Sequence, residues 1–202
     1  EPEKNVYSDL AERHKLKISF QPFIHLEPLT VREFRGYHVY PENYNAILFT
    51  SRSAVDHFFK LMIEMRIRFS EDVKYFCLSE SIALYLQKYI LVRLKKTFFG
   101  DGSVKSLCEV IHKNKERGTK YLLPCAENHK HDLAQWLKQN NLQYTEAIIF
   151  KSVPVDLSSL GILKNNMIVF FTPSSVETFA KSFPVFSQKN IRIGVFGDQT
   201  KE

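Results

Sequence analysis

The sequence predicts an α/β protein made of two similar parallel-sheet lobes, on three observations. Short β-branched or aromatic runs alternate with segments of helical spacing, the pattern of parallel strands linked by crossover helices. Part of the chain repeats at a nearly constant offset, and two extended, proline-bearing segments stand where one lobe would pass into the other. The strand candidates are 17–23, 46–49, 74–78, 120–123, 146–150, 167–171 and 191–196, each short and apolar enough for a sheet covered on both faces. Between them Val55, Phe58, Phe59, Met62 and Ile63 form one helical stripe, Ile82, Leu86, Tyr89 and Ile90 a second, and Leu133, Trp136 and Leu137 a third.

The repeat divides the chain. A shift of 121 lays AILFTSRSAVD (46–56) on MIVFFTPSSVE (167–177), and a shift of 118 lays VKYFCLSE (73–80) on IRIGVFGD (191–198). Two equivalent pairs of elements at almost the same offset imply two lobes of like architecture, with a period too long for a solenoid. The segments FQPFIHLEPLT (20–30) and FKSVPVD (150–156) match in character and read as two strands crossing together. One lobe is then 30–148 and the other a discontinuous one, 1–25 plus 155–202, with crossing strands at 20–30 and 149–156. The discontinuous lobe is expected to need a first strand before Glu1 and a helix after Glu202. A short N-terminal piece is expected ahead of Glu1, where no initiating Met stands.

Composition narrows the function classes. With 202 residues, 44% hydrophobic and 25% charged, the chain is too apolar for disorder and long enough for a packed core. Its longest apolar runs, 82–86 and 167–171, fall far short of the ~20 residues that span a bilayer. A soluble chain with no signal peptide and no membrane partner is expected. Cys77, Cys108 and Cys125 form no close pair, which excludes a disulfide scaffold or zinc knuckle and points to a reducing cytoplasm. The net charge of +6 leans toward an anionic partner, and 18 of the 28 basic residues, against 13 of the 22 acidic ones, lie in 30–148. Acids interleave with these bases and no reading motif is visible, so a nucleic-acid partner is disfavoured.

The candidate chemistry sits at strand ends. In parallel sheets ligands bind beyond the carboxyl ends, where helix N-termini offer unpaired N–H groups and partial positive charge. Those ends are Thr50, Ser51, Arg52 and Ser53; Ser79, Glu80 and Ser81; Thr172, Ser174 and Ser175; and Gly197, Asp198, Gln199 and Thr200. Small hydroxyls there either cap helices, with Ser53 and Ser174 the expected caps, or donate to a carboxylate. Other constellations carry less. Gly100-Asp101-Gly102-Ser103 lacks both phosphate-loop patterns and reads as a loop entering a helix. His129 and His131 have no third ligand at a recognisable spacing, so no metal is expected. Cys125 reads as a structural thiol, and the basic run Lys88, Arg93, Lys95 and Lys96 as a wet face.

ILFTSRSAVDHFF (47–59), YFCLSESIALYL (75–86), CAENHKHDLAQWL (125–137), FKSVP (150–154), VFFTPSSVETF (169–179) and IRIGVFGDQT (191–200) together resemble uroporphyrinogen-III synthase, in order along nearly the whole chain. The resemblance implies two flavodoxin-like α/β lobes joined by a two-stranded β-ladder, with the substrate in the cleft between them. It implies a lyase of porphyrin and haem biosynthesis that takes a small molecule, the linear tetrapyrrole hydroxymethylbilane. The enzyme removes the hydroxyl as water and closes the ring with the last pyrrole inverted, without metal or organic cofactor, as a monomer. Carried over by position, Ser51 to Ser53 with Thr50, Ser79 to Ser81, Lys130 and Lys151 would contact substrate carboxylates. Thr172, Ser174, Ser175, Gly197, Gln199 and Thr200 would do so from the other lobe.

Three positions depart from the family pattern. Its tyrosine, thought to assist loss of the hydroxyl, falls at Phe150, which has no proton to give; Tyr144 or a water is the expected substitute. Its threonine falls at Ile82, and its G-P-T-T turn becomes Gly197-Asp198-Gln199-Thr200. The alternative these departures leave open is a non-catalytic bilobed relative that binds a tetrapyrrole or another small anion.

Overall fold

A computed structural model describes residues 6–90, 96–157, 164–197 and 200. In chain order the elements are α1 (Val6–His14), β1 (Ile24–Pro28), α2 (Val31–Gly36), β2 (Ala46–Phe49), α3 (Arg52–Glu64), β3 (Lys74–Cys77), α4 (Glu80–Tyr85), β4 (Thr97–Phe99), α5 (Val104–Asn114), β5 (Lys120–Ala126), α6 (Asp132–Gln139), β6 (Gln143–Pro154), β7 (Met167–Phe170), α7 (Pro173–Ser182) and β8 (Arg192–Val195). They fall into two units, Leu26–Ser152 and the discontinuous Glu1–His25 with Val153–Glu202.

The first unit is organised by one sheet in the order β1-β6-β5-β2-β3-β4, parallel from β6 to β4. The hydrogen bonds Leu29 N–H to Ile149 O and Val155 N–H to Phe23 O bracket β1 against β6 with the residue numbers running in opposite senses, an antiparallel edge. Period-2 alternation splits the sheet's side chains between two cores. Ile47, Phe49, Tyr75, Cys77 and Leu122 pack against α3 and α4, while Ala46, Leu48, Phe76, Tyr121 and Leu123 pack against α5 and α6. Both faces are therefore covered, which is why β2 reads as an unbroken apolar run and is wholly buried. Phe49 meets Phe58, Phe59 and Tyr75 ring to ring; truncating such a phenylalanine costs about 3–5 kcal/mol.

The second unit repeats the first in miniature. β7 and β8 are parallel, with Met167 opposite Arg192, just as Ala46 stands opposite Lys74 in β2 and β3. The sequence offsets of 121 and 118 thus reappear as the same register. Leu157, Ile168, Phe170 and Phe179 form its core, with Phe23 stacked on Phe179. Met167 and Val169, on the opposite face of β7, stay exposed.

Four expectations are corrected. Residues 17–23 form no strand: Leu16, Ile18 and Phe20 are exposed, Pro22 lacks an N–H, and β1 begins only at Ile24, with the Phe23 carbonyl accepting the Val155 N–H just ahead of it. The stripe through Ile82 and Ile90 is not one helix, because α4 ends at Tyr85 and tightens into a 3₁₀ turn, Leu86–Lys88. Ile63 faces solvent rather than the core. The helix caps are Ser51 and Thr172, two residues before Ser53 and Ser174, which lie within the first turns of α3 and α7.

Candidate functional site

In a doubly wound sheet the strand order reverses at one point, and ligands bind in the crevice beyond the carboxyl ends of the flanking strands. In Leu26–Ser152 that point lies between β2 and β5. The chain leaves β2 through Thr50, Ser51, Arg52 and Ser53, and leaves β5 through residues 127–131, which include Lys130. β3 and β4 follow in parallel beside β2, so Ser79, Glu80 and Ser81 and the turn 100–103 open at the same edge.

Each turn has a local cause. Ser51 is extended (φ −153°, ψ 159°), and its Oγ accepts the Ala54 N–H at 3.1 Å, starting α3. The Arg52 guanidinium lies 5.5 Å from the centroid of the Tyr85 ring, a cation–π contact that holds it at the helix start. The Asp56 carboxylate gathers Tyr89 Oη (2.6 Å), Tyr85 Oη (2.9 Å) and Lys88 Nζ (3.0 Å). Burial raises the Asp56 pKa, but the bonds from Tyr89, Lys88 and Tyr85 outweigh it and the carboxyl stays below its usual range. Lys88 is exposed, in keeping with a wet face, and bound to Asp56; Lys96 pairs with Asp72, and Arg93 and Lys95 lie outside the described residues.

Ser79 starts α4 differently. Its side chain makes no capping bond and instead lies 3.0 Å from Ser81 Oγ. Glycine is required at Gly100, where a Cβ would come within 2.9 Å of the Leu107 backbone nitrogen. Asp101 accepts the Ser103 N–H at 2.8 Å, which holds its carboxyl low, and Ser103 in turn caps α5. The loop reading of this segment with a helix entry agrees with that geometry.

Phe150 is buried, with its ring 4.9 Å from the His57 ring. It stands where the β5–β6 register slips, Cys125 facing Ile148 but Ala126 facing Phe150, a bulge that re-aims the end of β6. His57 Nδ1 is buried without a hydrogen-bond partner; burial first, then Lys60, lowers its pKa, so the ring is neutral near pH 7. Tyr144 lies near the amino end of β6, six residues or ~20 Å from Phe150, and is no substitute for a donor there. Lys151 is bound to Glu33 at 3.3 Å and lines a cavity of about 320 Å³ with Leu29, Tyr37 and Glu127. Glu33, held at about 2 chiefly by the Thr30 N–H and hydroxyl and then by Lys151, closes the capping box of α2. Burial pushes the Cys77 and Cys125 thiols up to about 12, so neither is a nucleophile near pH 7.

In the second unit Thr172 repeats Ser51: extended (φ −145°, ψ 151°), accepting the Ser175 N–H at 3.3 Å. Ser174 is exposed in the first turn of α7 and Ser175 half-buried. Gly197 turns the chain after β8 with φ +80°, a conformation that favours glycine, and its carbonyl accepts the N–H of buried Thr200 at 3.1 Å. Gln199 lies outside the described residues. The sequence-predicted residues thus gather as two sets, one at the carboxyl edge of each parallel sheet, while Phe150 enters a core and Lys151 pairs with α2. Sequence reasoning missed the Asp56 cluster, His57 beside Phe150, and Glu146 beside His129 and His131; each joins residues of different elements, and no local spacing encodes it.

Two duplicated parallel sheets, each edged by hydroxyl-capped helix N-termini, define the class of α/β protein whose strand ends suit an anionic ligand. A family model described as uroporphyrinogen-III synthase HemD matches residues 5–202. The chain belongs to the uroporphyrinogen-III synthase family, an enzyme family of cyclising lyases in porphyrin biosynthesis. In fold it is similar to the crystal structure of a mutant uroporphyrinogen III synthase from the extreme thermophile Thermus thermophilus, with TM-score 0.59 and 14% identity over 96% of this chain and 81% of that one. It is also similar to the uroporphyrinogen-III synthetase of Helicobacter pylori, with TM-score 0.58 and 17% identity over 88% of this chain and 77% of that one. No curated protein matches the chain in sequence. Among the described residues no helix is long and apolar enough to cross a membrane.

Proposed function

We propose that this chain binds hydroxymethylbilane through its acidic arms and closes it to uroporphyrinogen III, with loss of water and inversion of the last pyrrole. The observation that carries the reading is the doubled cap: Ser51 and Thr172 occupy the same register position after β2 and β7 and leave N–H groups and hydroxyls at each sheet's carboxyl edge. Thr50, Ser51, Arg52, Ser53, Ser79, Ser81 and Lys130 are the proposed carboxylate contacts of one unit. Thr172, Ser174, Ser175, Gly197, Gln199 and Thr200 are those of the other. Glu80, an anion among these donors, favours the helix dipole rather than the substrate. Lys151 is a contact only if it exchanges Glu33 for a substrate acid.

The task is regiochemical. Departure of the hydroxyl needs modest help, whereas the flexible bilane must be held in one bent conformation for the inverted closure. Positioning of this kind supplies up to ~7–11 kcal/mol of barrier reduction, against about 10²–10⁴-fold from a general acid. A chain with Phe150 in place of a proton donor therefore keeps the larger contribution. We further propose a cytoplasmic monomer, in keeping with three free cysteines, with lobes 30–148 and 1–25 plus 155–202 and crossing strands at 20–30 and 149–156. The decisive assay supplies hydroxymethylbilane and resolves the two ring isomers. Isomer III above the uncatalysed background is expected; isomer I alone, with retained product binding, would establish the second reading, a non-catalytic relative, which Phe150 favours.

A further inference from the structure

We propose that His129, His131 and Glu146 form a binding site for a divalent transition metal. The three ligand atoms lie within 4.8 Å of one another: Glu146 Oε1 is 2.8 Å from His129 Nε2 and 3.2 Å from His131 Nδ1. Two ligands bound at about 2.0–2.1 Å to a tetrahedral zinc stand ~3.3 Å apart, so the two Glu146 pairs are already near that spacing, and the two imidazole nitrogens, within 4.8 Å of each other, close toward it by rotation of exposed His131.

The tautomer argument is what singles out this cluster. His129 Nδ1 is 2.9 Å from the Ala126 carbonyl oxygen, which only accepts, so Nδ1 carries a proton. In the neutral ring Nε2 is then an acceptor, yet it faces a carboxylate oxygen at 2.8 Å. Two acceptors at that distance need something shared between them, either a proton or a metal ion. A backbone carbonyl fixing the far ring nitrogen is the usual outer support of a metal-bound histidine. The support is built into the sheet: Ala126 ends β5, Glu146 lies on β6 with its register partner Leu123 on β5, and the 127–131 turn returns both imidazoles to that edge.

Two imidazoles and one carboxylate select zinc, nickel or copper over magnesium and calcium, which prefer all-oxygen shells. Glu146 is partly buried and His131 open to solvent, which leaves room for water to complete the shell. Lys130 and the N-terminus of α6, which begins one residue after His131, repel a cation, so the ligands must outweigh both. The sequence shows only His129 and His131; the third ligand comes from the next strand.

The test is calorimetric titration of the tag-free, chelator-treated full chain with Zn(II), repeated with Co(II) for its visible ligand-field bands. One equivalent is expected to bind per chain. His129→Ala, exposed His131→Ala and Glu146→Gln should each weaken binding by more than ~10-fold, while His112→Ala on α5 should not change it. Far-ultraviolet circular dichroism verifies that each variant is folded, and His131→Ala, at an exposed side chain, keeps the test decisive if another variant is not. Absence of saturable binding, or binding that survives all three substitutions, overturns the proposal and leaves His129 a hydrogen-bonded partner of Glu146.

Discussion

At the scale of single residues the sharpest departure from the family pattern is Phe150. Its ring is buried with its centroid 4.9 Å from that of His57, whose Nδ1 is buried without a partner. Phe150→Tyr adds a hydroxyl at a buried site, which costs about 1–3 kcal/mol where it finds no partner; a position that delivers a proton to the departing hydroxyl should also raise kcat about 100-fold with KM unchanged, measured as the rate of isomer III formation. An unmoved kcat would mean that the departing hydroxyl takes no proton from this position. Which residues were legible in the sequence follows from range. Ser51 and Thr172 announce themselves because a cap binds the backbone three residues on. His57 beside Phe150, Tyr85 on Asp56 and Glu146 on His129 join positions 93, 29 and 17 residues apart, and only the folded sheet brings them together.

At the scale of elements the runs at 46–49, 74–78 and 120–123 became strands because a strand covered on both faces is apolar through its buried length, whereas 167–171 pairs as β7 with one of its faces open. Residues 17–23 are apolar at only some positions, and the Phe20 ring packs against Tyr7 of α1 rather than into a sheet, leaving Ile18 and Phe20 exposed. β4 escaped notice because three residues, Thr97–Phe99, carry too little pattern to read. The two caps that open α3 and α4 separate helix formation from ligand binding. Ser51 Oγ is engaged by the Ala54 N–H, whereas Ser79 makes no such bond. Ser51→Ala should therefore lower unfolding free energy by about 1 kcal/mol, and Ser79→Ala by under ~0.5 kcal/mol. If Ser79 meets a substrate carboxylate, as proposed, its removal should still raise KM several-fold, an effect that denaturant melts and steady-state kinetics on one pair of variants will separate. Equal stability losses with no change in KM would reduce both serines to helix caps.

At the scale of the whole molecule the two units carry the same register on unequal foundations. In Leu26–Ser152 the central strands are buried by helices on both faces, with Ala46 to Phe49 entirely inaccessible. In the other unit Met167, Val169, Ile193 and Val195 remain exposed, and four buried residues form the core among those described. Parallel strands draw their stability from such coverage, and local opening free energies follow buried contact density. Exchange of backbone amides with deuterium should therefore be slowest in β2 and β5 and at least ~100-fold faster in β7 and β8. Mass spectrometry of peptides covering 46–49, 120–126, 167–170 and 192–195 reads this directly. Uniform protection across both sheets would show that the units unfold as one cooperative body, and that the exposed apolar face of β7 and β8 is covered in solution.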